Sequence, residues 1–248
     1  MHPDSCIGHN CYCEYFSLAD VNSGAPGIRQ PVNTLFNLYA LITAGIVAFV
    51  LSRDRAEGGT AVVIRSNSRK ADGYVFAVLF LGLGSMWFHA SISATVSWLD
   101  GLSMYVYAAF LVFYTVDRWL GQKAASQLLR DLLFWIGWPV VAVGFTLLGQ
   151  AGVPSPLLIG ILVAVYALFE FAFAKWIPDK TARIYWVIGA VSMALAILFW
   201  LLSWDGGPLC FPHSGFQPHG LLWHPLAGVM AVFMFFYWRR ETSAATWT

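Results

Sequence analysis

The chain alternates between long apolar runs and short polar breaks, with no period-two pattern of the kind that marks half-buried strands. Runs long enough to cross ~30 Å of hydrocarbon as helices occur roughly at 32–52, 74–94, 97–117, 131–150, 156–175, 184–204 and 219–238. Several carry Pro, Gly or aromatic residues at their ends, as membrane helices do. The longest polar stretches are residues 1–30 and 53–73. The pattern predicts an all-α, polytopic membrane protein of seven transmembrane helices. It is expected to form one domain over residues 1–248, with residues 1–31 an N-terminal segment packing near the functional site.

Composition agrees. Of 248 residues 58% are hydrophobic and 11% are charged, with a mean hydropathy of +0.65. A soluble domain carries ~25% charged residues. The net charge of +1 gives no reason to expect nucleic acid. The start, MHPDSCIGHNCYCEYFSLAD, is polar, so no cleavable signal peptide is expected. No internal repeat is visible.

The basic residues orient the bundle. Arg53, Arg55, Arg65, Arg69 and Lys70 follow the first run, and Arg118, Lys123 and Arg130 lie near the break between the third and fourth. Lys175, Lys180 and Arg183 separate the fifth and sixth, and Arg239 and Arg240 follow the seventh. All of the 14 basic residues except Arg29 therefore fall on one side. The positive-inside rule predicts an external N-terminus and a cytoplasmic C-terminus. Cys6, Cys11, Cys13 and Cys210 all fall on the external side, where disulfides persist. Four cysteines allow three pairings, and buried or free thiols are the alternative.

Ionisable groups inside membrane-length apolar runs are costly and mark functional sites by default. His89, His219, His224 and Asp100 are such groups, and Ser85 joins them. Ser85 and His89 are i and i+4, on one helix face. Asp100 opens the third run, and His219 and His224 open the seventh. All five belong to the external level. Each has a plainer reading: a histidine bonding between helices, Asp100 as an interfacial cap, Ser85 as a small contact residue. Together, three imidazoles, a carboxylate and a hydroxyl are what a catalytic zinc needs. Glu170, near the other end of the fifth run, is expected to snorkel or pair locally.

Three segments resemble the alkaline ceramidase family, part of a wider group of seven-span metal hydrolases that includes adiponectin-receptor-like proteins. GSMWFHASISATVSWLDGLSM (84–104) is similar to its Ser-x3-His…Asp signature. HGLLWHPLAG (219–228) resembles its last-helix histidine pair, and CEYFSLADVNSGAPGIRQPVNTLFNL (13–38) its N-terminal segment. The motifs keep the family's order over the whole chain. The resemblance implies a zinc held by His89, His219 and His224, with a water as fourth ligand. It implies Asp100 as the group that takes that water's proton and passes it to the leaving amine, and Ser85 as a hydroxyl steadying the water or the oxyanion. It implies ceramide, taken from the bilayer, as substrate, cleaved to a sphingoid base and a fatty acid. No obligate protein partner is implied.

Two departures qualify the match. The paired histidines are i and i+5 rather than i and i+4, which on a regular helix turns them ~140° apart. A π-bulge between Gly220 and Pro225 is predicted to absorb the extra residue, since Pro225 removes an N–H there. Alternatively His219 precedes the helix on the Gln217–Pro218 turn, with His213 as reserve ligand. The family also implies a calcium beside the zinc. Its positions match Cys11, Tyr12, Glu14, Phe16 and Gln30 here, of which Glu14 alone keeps an anionic oxygen, so calcium is expected to be weak or absent. Asp20, Asn22 and Asn33 are possible substitutes. The alignment further implies a Cys13–Cys210 disulfide, leaving Cys6–Cys11, and both would tie the N-terminal segment over the site.

The leading expectation is thus a zinc-dependent amide hydrolase of ceramide-like lipids. A receptor or lipid-binding protein of related fold with a structural metal is the alternative. A transporter fits less well, because its site would lie near the bilayer midplane.

Overall fold

The computed structural model describes residues 6–7, 10–11, 13–14, 27–58, 64, 69–123, 125–174, 179–211 and 214–240. A two-residue antiparallel ladder, β1 (Cys6–Ile7) with β2 (Asn10–Cys11), precedes the helices. These are α1 (Pro31–Phe36), α2 (Leu38–Ala56), α3 (Arg69–Ser91), α4 (Ala94–Gln122), α5 (Gln127–Gln150), α6 (Ser155–Ala174), α7 (Lys180–Leu202) and α8 (His224–Arg239), the last entered through a π-turn at His219–Trp223.

Seven spans are long and apolar enough to cross a membrane, with α1 and α2 forming the first, Pro31–Ala56. The expected runs are all present, but α3 begins earlier and α4 both begins earlier and ends later than hydropathy suggests. The added residues include Lys70 and Arg118, and they and Asp117, the last residue of the expected third run, are charged but buried. Hydropathy scores each charge alone, whereas the fold buries them as pairs. Lys70 Nζ lies 2.9 Å from Asp117 and 2.8 Å from Asp131, and Arg130 donates to both oxygens of Asp117 at 3.0 and 3.1 Å. Beside them Arg239 grips Asp54 with two bonds of 2.7 and 2.6 Å.

Those pairs gather the ends of α2, α4 and α8 with the starts of α3 and α5, so Lys70, Arg130 and Arg239 share one end of the bundle. Glu170 belongs to this end too. It neither snorkels nor pairs along its own helix. It accepts from Arg118 and Thr115 of α4 and from Tyr237 and Trp238 of α8 (2.9 Å from Thr115 and Tyr237, 3.1 Å from Trp238). A buried carboxylate without such donors would be strongly unfavourable.

Chain neighbours pack in sequence, α2 on α3, α3 on α4 and α4 on α5, while α8 closes against α7 and α2. Next to the ion pairs, an aromatic cluster of Tyr74, Phe110, Tyr114, Phe235 and Trp238 fills the core. Tyr74 donates to the Ala231 carbonyl at 2.7 Å, while the Tyr114 hydroxyl is buried without a hydrogen-bond partner. The outer faces carry large exposed apolar side chains such as Ile42, Phe49, Leu128, Leu168 and Phe171. So much exposed apolar surface fits lipid as the solvent of those faces. Cys13 and Cys210, 197 residues apart in sequence, are joined by a disulfide, with Cα atoms 5.2 Å apart. The Cys6 and Cys11 backbones are register partners in the ladder, but their side chains, and so that expected bridge, lie outside the described residues.

Candidate metal centre

At the end opposite the ion pairs, four elements converge. Helix α3 brings Ser85 and His89 on one face near its C-terminus. A two-residue turn, Ile92–Ser93, reverses the chain, and Ser93 caps α4 by accepting from the Val96 N–H at 3.4 Å. Asp100 therefore stands well inside α4 rather than opening it, and the interfacial-cap reading is overturned because Ser93 holds that place. Asp100 is 6% exposed and lines one pocket with Ser85 and His89, so the i, i+4 pair of α3 faces α4.

His219 and His224 reach the same point through the π-turn. The His224 backbone N–H donates to the His219 carbonyl, five residues back. In a turn closed this way residues five apart stack over one another, as i and i+4 residues do on an α-helix. The turn covers His219–Trp223, one to two residues earlier than the sequence suggests, and His219 is its first residue rather than part of a preceding loop. Pro225, which has no N–H to donate, follows at once, so the wide turn gives up no bond there.

The three rings form a cluster, with centroids 5.2 Å (His89–His219), 5.6 Å (His89–His224) and 4.9 Å (His219–His224) apart. One ligand nitrogen from each lies within 4.8 Å of the others, and all three residues are buried. Nitrogen donors bind zinc at ~2.0–2.1 Å, so small ring rotations close this set on one ion. The donor set fits a metal on a second ground. Both ring nitrogens of His224 and the Oδ1 of Asp100 are buried without a hydrogen-bond partner. Buried polar atoms are nearly always partnered, and orphans of this kind call for an ion or a water.

One pocket is lined by all five expected residues, together with Tyr39, Leu81, Met104, Trp200 and Trp223. The last five were not singled out from sequence. Tyr39 stacks on His224 at 5.8 Å, and Trp200 stacks on Trp223 at 5.5 Å. Only Trp223, which precedes His224 in the chain, carried any signal, and aromatics abound here. Leu81, Met104 and Trp223 also line an adjoining apolar cavity of about 60 Å³ that runs inward past Tyr107 to Met230.

The N-terminal segment closes the site from the side. Glu14 is 1% exposed, and its carboxylate accepts the Val32 and Asn33 N–H groups, both at 2.9 Å, at the start of α1. Burial pushes this carboxyl above its usual range, and those two donors pull it partly back. Asn33 is buried and donates to the Gln30 amide oxygen at 3.2 Å. Asp20, Asn22 and His213, named above as possible ligands, lie outside the described residues, as do Tyr12 and Phe16. No family model matches the chain, and neither a curated protein nor a solved structure matches it.

Proposed function

We propose that the protein is a metal-dependent lipid amidase of the alkaline ceramidase type, with zinc held by His89, His219 and His224. The observation that carries this reading is the meeting of three buried imidazoles with the Asp100–Ser85 pair in one pocket beside an apolar cavity. A zinc bound there supplies Lewis acidity, polarising an amide carbonyl and acidifying a water.

The chain's own groups do the rest. Neutral imidazoles leave the ion its full charge. Asp100 has one oxygen without a protein partner and shares the pocket with the Ser85 hydroxyl, so it is free to take a proton and return it. In hydrolysis the water oxygen joins the acyl carbon and the C–N bond breaks. The proton taken by Asp100 goes to the departing nitrogen, leaving an amine and a carboxylate. Leu81, Met104 and the cavity beyond them offer apolar surface for a hydrocarbon chain, while Trp200 and Trp223 wall the pocket. The substrate is a ceramide or a similar N-acyl lipid entering from the bilayer, and the basic end of the bundle faces the cytoplasm, with the site on the other side.

Elemental analysis of the protein purified in detergent without chelator tests the metal, with His89→Ala beside it. About one zinc per chain is expected, lost in the variant. Release of sphingoid base from ceramide should follow the zinc. A wild-type protein devoid of transition metal would overturn the reading.

A further inference from the structure

The polar chain around His89 reaches further than the five expected residues. Gln30 holds His89 twice. Its backbone N–H donates to the His89 carbonyl at 3.0 Å, and its side-chain Oε1 lies 2.6 Å from His89 Nδ1. Gln30 is 1% exposed and His89 is 1% exposed, so no bulk water competes for either group.

The orientation of the Gln30 amide is set by an atom that admits no ambiguity. Its other end lies 3.1 Å from the Glu14 backbone carbonyl, which can only accept. The amide nitrogen must therefore face Glu14 and the amide oxygen must face His89. Asn33 Nδ2 donates to that same oxygen from the side. An oxygen facing Nδ1 requires Nδ1 to carry the proton, because two acceptors at 2.6 Å would repel. The neutral imidazole then has its lone pair on Nε2.

We propose that Gln30 is a positioning residue for the metal centre: it holds His89 in the Nδ1–H tautomer and leaves Nε2 as the ligand atom. This rests on the metal-site reading above. Metal-bound histidines commonly donate their second N–H to a carboxylate or carbonyl, which fixes ring orientation and raises ligand basicity. Here the acceptor is a neutral amide. It orients the ring without adding a charge, so the centre keeps its electrophilicity.

Gln30 is itself locked from outside the bundle. Glu14 anchors it by its carbonyl and anchors α1 by its carboxylate. The neighbouring Cys13 ties Glu14 to Cys210, on the loop that leads into the π-turn of His219 and His224. The N-terminal segment thus holds His89 through Gln30 and reaches the loop before His219 and His224 through the disulfide. Glu14 and Gln30 occupy positions that the family resemblance associates with a calcium; in this chain their polar groups face α1 and His89.

The test uses the full chain in detergent, stripped of metal and labelled with ¹⁵N-histidine. In the wild type the His89 ring should show a protonated Nδ1 and a bare Nε2. Cobalt and zinc titrations should give dissociation constants about 10–100-fold weaker for Gln30→Ala. Gln30→Glu, nearly isosteric and a stronger acceptor, should bind at least as tightly as wild type and shift the cobalt absorption bands, which a packing role alone would not do. Wild-type affinity in Gln30→Ala, with metal lost in His89→Ala, would overturn the proposal and leave the metal site standing. A bare Nδ1 on wild-type His89 would overturn it without any variant. A wild-type chain that binds neither metal would instead bring down the metal-site reading and this inference with it.

Discussion

His224 donates its backbone N–H to the carbonyl of His219, and this one i→i+5 bond sets their two rings 4.9 Å apart. A π-turn is an α-helix with one residue too many. Removing a residue from it restores an α-helix without changing the phase of what lies on either side. Deletion of Leu222 should therefore be tolerated: the histidines become i and i+4, and zinc affinity stays within about tenfold of wild type. Deletion of Val232, in the regular part of α8, should rotate the rest of the helix by ~100° and unseat Tyr237 and Trp238 from Glu170. Metal titration and thermal melting of the two deletions make the comparison. Equal damage from both would mean that the wide turn is not slack in the helix.

Asp100 and Ser85 make a prediction about chemistry without binding. Asp100→Asn keeps an oxygen for the Ser85 hydroxyl and removes the proton acceptor. Turnover of ceramide should fall by about 10²–10⁴, the usual contribution of a positioned general base. Zinc content should remain that of wild type, because the three histidines bind independently of it. Activity within tenfold of wild type would remove Asp100 from the proton path. A receptor or binding role would show up as unchanged lipid binding in a protein with no turnover to lose.

At the opposite end, Glu170 takes hydrogen bonds from two helices and lies against Arg118. Breaking a buried pair leaves an uncompensated charge, and the expected cost is on the order of 3–5 kcal/mol. Arg118→Met or Glu170→Leu alone should each lower the melting temperature sharply. The double variant removes both charges and should recover most of the loss. If the double variant melts no higher than the singles, the network's remaining hydrogen bonds, not the charge pair, hold α4, α6 and α8 together.

The two ends of the bundle differ in how openly the sequence declared them. Long apolar runs marked seven spans because hydropathy responds to lipid-length helices. Ser85 and His89 shared a face because i and i+4 always do. The five site residues could be grouped because each was a lone polar group at the same level of its span, and the structure brings them into one pocket. Lys70 and Arg118 were read as loop flanks, since nothing local tells a paired, buried charge from a solvated one. Their partners Asp117 and Glu170 are 47 and 52 residues away. Gln30 was named only as a position the resemblance ties to calcium, and its bond to His89 was hidden for the same reason. An amide between Arg29 and Pro31 looks like any turn residue until the fold sets His89, 59 positions on, against its oxygen. Tyr39 and Trp200 were invisible for a different one: in a chain with 12 Trp and 10 Tyr, an aromatic carries no information until it touches something.

Gly220 offers a final check on how tightly the first span presses on the metal end. A Cβ placed there would lie 2.9 Å from Asn33 Oδ1, 3.2 Å from Asn33 Cα and 3.2 Å from the Val32 carbonyl. Two of those atoms are backbone at the start of α1, where Glu14 already holds the Val32 and Asn33 N–H groups, so they have little room to retreat. The π-turn would have to move instead, carrying His219 away from His89. Gly220→Ala should therefore destabilise by ~1–3 kcal/mol, as overpacking does, and should weaken zinc binding along with it. Gly215→Ala, a few residues upstream in open space, should change neither. Melting and metal titration on the two variants decide it. A Gly220→Ala protein with wild-type zinc affinity would mean that α1 and the π-turn can part without disturbing the ligands.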